Sequence, residues 1–226
     1  MWYKIKKIYQ WTNQVRPSGW KPWANTLIYY SFDNQNLDDS SGKWNNGTWY
    51  SWTWTYTTGI KSYWVNLNST RGIQIPTGLI PTTWDFTFSI CINRSNLSSP
   101  SLQGILATYQ WSSWCMHFNV NSSNLEIAFY WTSVPSTWIT VTTWTWYNII
   151  LTRSGNVWTL YTNWTQQFQT TIAYTLNSSM TWLVWNWYSN DRHINWVIDE
   201  VILENKAWTA DEILNYYNRS KSNYSL

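Results

Sequence analysis

Carboxylates are the first place to look for chemistry in this 226-residue chain, and two groupings stand out. One is Asp199-Glu200 with Glu204 nearby, on a strand-like run. Glycoside hydrolysis needs two carboxyl groups flanking the scissile bond, one as acid and one as nucleophile or base. On an extended strand adjacent residues face opposite ways, so Asp199 and Glu200 are not expected to flank one bond. The other grouping is the loop Asp33…Asp38-Asp39. Calcium takes several oxygen ligands from carboxylates and carbonyls, and such a loop can supply them. The same residues also suit Asx-type turns, in which the side chain binds the backbone two residues on.

Other catalytic patterns are missing. His117 and His193 are solitary, with neither the ligand spacing of a zinc site nor a serine partner. No strand, glycine-rich loop and helix follow one another as a phosphate cradle. The two cysteines, Cys91 and Cys115, fall in different strand-like runs and read as buried free thiols rather than a disulfide framework. The chain is therefore expected to bind rather than to catalyse.

Tryptophan carries the second signal. The chain holds 23 Trp and 8 Gly, whereas an ordinary glycine share would give about 16 in this length. Many of these tryptophans lie between strand-like runs, in Thr83-Trp84-Asp85, Ser113-Trp114, Asn163-Trp164-Thr165, Asn186-Trp187-Tyr188 and Asn195-Trp196. Such places demand turns and often φ > 0, for which glycine is the default. Read as glycine, Lys43-Trp44-Asn45-Asn46-Gly47 becomes a turn cluster and Tyr161-Thr162-Asn163-Trp164 an Asn-Gly hairpin. One reading is a gene in whose code UGA means glycine, translated here as tryptophan. The other takes the rings as genuine, and exposed rings on a β-surface are stacking platforms for sugars and bases. Trp20, Trp23, Trp146 and Trp208 sit in contexts that suit a ring on either reading.

The elements that position these groups are nearly all strands. Leu27–Phe32 reads as a strand ending in the polar loop Asp33 to Asn46. Phe86–Asn93 alternates Phe/Ile with Thr/Ser/Cys/Asn, the pattern of a half-buried strand. Gly104–Tyr109, Cys115–Val120, Leu125–Tyr130, Trp146–Thr152, Val157–Tyr161, Thr181–Val184 and Val197–Leu203 follow, at the spacing of a sandwich. The predicted core is Ile28, Tyr30, Phe32, Phe86, Phe88, Ile90, Trp146, Ile149, Leu151, Leu160, Val197 and Ile198. One helix is expected, where Thr209-Ala210-Asp211-Glu212 forms a capping box ahead of Ile213, Leu214, Tyr216 and Tyr217. The fold class is all-β: two antiparallel sheets packed face to face with one short C-terminal helix. Residues 1–25 read as an arm or linker, 26–218 as the sandwich domain and 219–226 as a polar tail.

Only 11% of residues are charged and the net charge is +3, with Lys4, Lys6, Lys7, Arg16 and Lys21 gathered at the start. A lysine-rich start reads as a solvated arm and not as a nucleic-acid surface. No run approaches the roughly 18 apolar residues of a membrane span. Met1 to Gln10 lacks the apolar stretch of a signal peptide. A cell-surface, extracellular or virion-associated setting is expected.

The order of landmarks resembles a known family. Tyr29-Tyr30-Ser31-Phe32-Asp33 and Asp38 to Thr48, then Asp85 to Ser89, Thr145-Trp146-Tyr147-Asn148-Ile149-Ile150, Leu160 to Trp164, Trp196 to Val201 and Lys206 to Tyr217, are similar to the concanavalin A-like, laminin G-like jelly-roll domains. The resemblance covers residues 26–218, and the chief departure is Trp where that family has Gly, at Trp164 and Trp196 among others. The Glu-x-Asp-x-x-Glu run of glucanases sharing that fold is absent. The resemblance implies a non-catalytic module that recognises a glycan or a surface protein through its loops. It also implies calcium held by Asp33, Asn46 and Asp199. The arm with Arg16-Pro17 resembles the N-termini of phage-like structural proteins. The alternative function is accordingly a structural or receptor-binding module of a virion, tail fibre or surface appendage, with the arm docked on a neighbouring chain.

Overall fold

The computed structural model describes residues 23–50, 55–58, 63–67, 72–80, 82–94, 103–107, 116–121, 124–129, 139–176, 182–183 and 196–224. Two antiparallel sheets form a jelly-roll sandwich. The first contains, in spatial order, β13 (Thr165–Thr171), β12 (Val157–Thr162), β11 (Trp146–Ser154), β6 (Phe86–Arg94), β15 (Trp196–Glu204), β4 (Tyr63–Leu67) and β3 (Thr55–Thr58). In addition β1 (Thr26–Tyr30) pairs with β15. The second sheet runs β10 (Ile139–Thr140), β9 (Asn124–Phe129), β8 (Met116–Asn121), β7 (Gln103–Ala107), β14 (Trp182–Leu183), β5 (Gly72–Gln74) and β2 (Thr48–Tyr50).

The two-residue period of a strand sends alternate side chains to opposite faces, and β6 shows what each face does. Phe86, Phe88, Ile90 and Ile92 join Ile28, Tyr30, Ile149, Leu151, Leu160, Ile198 and Leu203 in the core between the sheets, with Ile73 and Ile105 from the second sheet. The intervening Thr87, Ser89 and Cys91 are also buried, although the alternation predicts a half-buried strand. The reason is α1 (Ala210–Tyr224), whose Ile213 and Tyr216 pack on Tyr29, Ile150, Tyr161, Ile202 and Trp208 across the outer face of the first sheet. The helix turns a half-buried sheet into one buried on both sides.

The helix starts as its capping box requires. Thr209 N donates to Glu212 Oε2 at 2.9 Å and Glu212 N donates to Thr209 Oγ1 at 3.3 Å, satisfying donors that a helix start leaves open. Lys206 pairs with Glu212. Thr87 Oγ1 accepts from Trp208 N at 2.8 Å and donates to the Lys206 carbonyl at 2.7 Å, fastening the approach to the helix onto β6. The helix continues past residue 218, into the stretch read as a tail, because Ser220 is buried and its hydroxyl donates to the Tyr216 carbonyl at 3.0 Å.

Eleven of the twelve predicted core residues are buried. Val197 is the exception and is half-buried, since it pairs with Asn93 while its neighbours Trp196 and Ile198 enter the core. The first strand ends at Tyr30 rather than Phe32, because Phe32 adopts φ 55 and turns the chain into the loop. The strands β2 to β5 and β10 carry no clean alternation and have no counterpart in the sequence reading, whereas β13 is the return strand of the hairpin read at Asn163-Trp164.

Candidate functional site

The loop from Ser31 to Gly47 leaves β1 at one rim of the sandwich and returns into β2. Its backbone is unusually contorted. Among the described residues six that are not glycine have positive φ, and three of them, Phe32, Gln35 and Trp44, lie in this loop beside Gly42, which shares that conformation. Strained backbone persists only where its surroundings over-determine it, and it gathers at ligand clamps.

Asp39 is what over-determines it. Its Oδ1 accepts from Tyr29 N and Ser41 N, each at 2.9 Å. Its Oδ2 accepts from Ser41 Oγ at 2.7 Å and Asn45 N at 3.0 Å. One carboxylate thus joins both limbs of the loop to β1. Further bonds run the same way. Ser40 N donates to the Tyr29 carbonyl at 2.8 Å, Asn45 Nδ2 to the Leu27 carbonyl at 2.8 Å, and the buried Tyr30 hydroxyl to the Asn45 carbonyl at 2.7 Å. Burial first, then the Asp39 charge, pushes the Tyr30 phenol far above its ordinary pKa, so it stays a donor. Gly47 closes the loop where a Cβ would stand 3.2 Å from the Tyr30 ring. Around this fixed frame Asn34, Gln35, Asp38, Lys43 and Asn46 are exposed. Asp38 lies near Tyr56, whose phenol is pushed up to about 12 by burial and then by Asp38.

The Asx-turn reading of this segment is realised, since Ser41 N bonds Asp39 two residues back and Asp38 N bonds Asn36 Oδ1 at 3.2 Å. The three residues that the family resemblance implies for calcium are placed as follows. Asp33 is half-buried in the loop, Asn46 is exposed with its Oδ1 accepting from Asp39 N at 2.8 Å, and Asp199 is fully buried on β15, its Oδ1 accepting from Glu200 N at 2.9 Å. Among the described residues no three His, Cys, Asp or Glu side chains are grouped as a metal cage. Asp39 is the carboxylate that organises the loop, and its signal in the sequence was the Asp-Ser-Ser run that makes Asx turns.

Asp199 belongs to a second polar grouping. Asn148, Cys91 and Asp199 are register partners across β11, β6 and β15, hence on one face, and Asn148 Nδ2 reaches Ser89 Oγ at 3.1 Å and Cys91 Sγ at 3.4 Å. The regular alternation on which the expectation for Asp199 and Glu200 rested is interrupted here. A bulge falls between Asp199 and Ile202, Glu200 takes φ 50, and both residues are buried. Burial, then Cys91, Glu200 and Asp199, drive the Tyr216 phenol well above its usual range. This grouping is sealed beneath α1. His193, Cys115, Trp114 and Trp187 lie outside the described residues, as does the arm up to residue 22.

No family model matches the chain, and no curated protein matches it. Solved structures do. Domain 4 of AbnA, a GH43 extracellular arabinanase from Geobacillus stearothermophilus, in complex with arabinotriose, is similar over 85% of this chain and 98% of that domain, at 20% identity and TM-score 0.64. The binding domain of Paraclostridial Mosquitocidal Protein 1 is similar over 86% of this chain at 17% identity and TM-score 0.67. The binding domain of botulinum neurotoxin DC in complex with rat synaptotagmin II follows at 16% identity, 86% coverage and TM-score 0.68. The chain spans about half the length of those two toxin domains, 52% and 51%. The shared property is the β-sandwich fold. No helix among the described residues is long and apolar enough to cross a membrane.

Proposed function

We propose that the chain is a non-catalytic binding module that recognises a glycan or a surface protein through the rim loop 33–46. The observation that carries this reading is a contorted loop fixed by the Asp39 carboxylate while Asn34, Gln35, Asp38, Lys43 and Asn46 stay in solvent. Binding costs less when the contact surface is already ordered, and amide and charged side chains on a rigid frame suit the dense hydroxyls of a sugar. The arabinotriose-bound domain and the toxin binding domains support the reading, as does the likeness to laminin G-like jelly rolls in the order of landmarks.

The test is an array of neutral and acidic oligosaccharides, arabinotriose among them, together with a panel of surface proteins. The wild type is compared with Asn34→Ala/Gln35→Ala/Lys43→Ala. Binding by the wild type, lost in the variant at unchanged Tm, is the expected result. Binding that survives in the variant removes the loop from the site, and no binding at all removes the reading. The alternative, a virion, tail-fibre or appendage module docked by its arm, rests on the basic residues before position 22. Co-purification of the chain with particles from its native source would favour it.

A further inference from the structure

The tryptophans fall into two physical populations. Trp146, Trp158, Trp196 and Trp208 are buried, and Trp196, read from the sequence as a turn position calling for glycine, is instead the first residue of β15 with its ring in the core. Trp158 Nε1 donates to the Ile172 carbonyl at 3.2 Å and its ring meets Phe86 edge-on at 5.7 Å. Trp208 Nε1 donates to Glu204 Oε2 at 2.6 Å and its ring meets Trp23 edge-on at 5.0 Å. The buried Trp196 N–H has no partner among the described residues, whereas the rings of Trp158 and Trp208 fill space with their N–H groups satisfied, as buried indoles usually are.

The second population does neither. Trp44, Trp84, Trp144 and Trp164 are 86%, 70%, 74% and 51% exposed. Trp44 has φ 63 and Trp144 has φ 60, a left-handed conformation that costs a residue bearing a Cβ roughly 1–2 kcal/mol and glycine almost nothing. Trp164 follows Asn163, at φ 57, in the two-residue connection from β12 to β13, where Asn-Gly is the strongest short hairpin signal. Trp84 sits in the bend just before β6.

A stacking platform would explain exposed rings only if they shared a surface. Trp84 precedes the first residue of β6, whereas Trp144 N bonds the carbonyl of its last residue, Arg94, at 2.8 Å. At about 3.3 Å per residue the two ends of that strand are roughly 26 Å apart, beyond the span of one sugar ring and its neighbours. Trp44 lies on a third segment, the rim loop.

We infer that Trp44, Trp84, Trp144 and Trp164 mark positions where the functional chain carries glycine, inserted at UGA codons, and that Trp84 and Trp144 belong to no common stacking platform. The first half stands on positive φ and exposure at positions 44 and 144, and on exposure in a bend or hairpin turn at 84 and 164. The second half stands on the separation of Trp84 and Trp144 at the two ends of β6. Restoring glycine at position 44 also leaves the rim loop with backbone matched to its conformation.

Peptide mass spectrometry of the chain from its native cells, with the gene sequence, decides the matter without any ligand. Glycine in the four peptides over UGA codons, with tryptophan over UGG at 146 and 208, is the expected result. Tryptophan at any of the four in native protein, or UGG codons there, overturns the inference at that position. Trp44→Gly/Trp144→Gly should also melt above the chain as written, and an equal or lower Tm counts against it. A glycine-bearing protein that binds nothing on the arrays would defeat the proposed function and leave the codon assignment intact.

Discussion

Removing the Asp39 carboxylate should loosen the rim loop while leaving the sandwich folded. Asp39→Ala withdraws the acceptor from four donors, three of them backbone N–H groups of Tyr29, Ser41 and Asn45. A hydrogen bond to a charged group contributes about 1.5–3 kcal/mol. The four share one carboxylate and are not additive, and the half-buried site lets water reach part of what is vacated. The loss should therefore be about 2–4 kcal/mol, far short of the sum. For a chain of this size each kcal/mol moves Tm by about 2–4 °C, so melting should fall by roughly 4–16 °C. Urea titration should show a lower midpoint at an unchanged slope, since the surface exposed on unfolding is the same. Amide exchange at Tyr29 and Asn45 should accelerate well beyond that at Ile90. Asp38→Ala is the control, because Asp38 is exposed and its carboxylate pairs only locally, with Asn36. If Asp39→Ala melts with Asp38→Ala, or if Asn45 exchanges no faster, then Asp39 does not hold the loop.

Two further outcomes follow from the packing and a third from the family resemblance. Trp158→Phe should cost about 2–3 kcal/mol, because it strands the Ile172 carbonyl, while Trp196→Phe should cost under about 1 kcal/mol, because the buried Trp196 N–H has no acceptor to lose; equal costs in urea titration would refute the contrast. Burial raises the Glu204 pKa against the hydrogen bonds from Thr26 and Trp208, so its protonated form favours folding and its contribution is present at low pH and declines as pH rises through the raised value. The stability difference between wild type and Glu204→Gln should accordingly grow unfavourable to the wild type from acid toward neutral pH, and a flat difference would contradict the shift. Calcium at Asp33, Asn46 and Asp199 is proposed from the family resemblance alone; it requires Tm to rise by the equivalent of about 2.7 kcal/mol at a hundredfold excess over Kd, with the response lost in Asp199→Ala, and indifference to calcium and chelator would leave Asp199 to its bond with Glu200 N.

Long strands were legible, β6 by strict alternation and β11 and β15 by their apolar runs. In β6, β11 and β15 one face must be apolar whatever covers the other, so Phe86, Ile149 and Ile198 could be placed in the core from spacing alone. The capping box was equally local, because Thr209 and Glu212 satisfy each other without tertiary help. What spacing could not show was that α1 would return over the outer face, which buries Thr87, Ser89 and Cys91 and makes a two-sided strand of an apparently one-sided one. The short strands β2, β3 and β4 hid for a different reason. Their Trp, Tyr and Thr residues run without a polar-apolar rhythm, and recoded tryptophans within them would erase any rhythm the true residues had. The site was half legible. An acidic loop stood out, but which carboxylate would anchor it depended on β1 offering the Tyr29 N–H, a contact made across ten residues of folded chain.

The pairing of β1 with β15 sets how this domain responds to force. Thr26, where β1 begins, lies opposite Glu204, where β15 ends. Tension applied between those two points does not load the ladder in parallel. It concentrates on the pair at Thr26 and Glu204, where the Thr26 hydroxyl also binds the Glu204 carboxylate at 2.6 Å, and then passes to the next pair once the first opens. Such a zipper yields at low force. Load that enters through one end of the chain and leaves through a rim loop, rather than through both of those points, spares that seam.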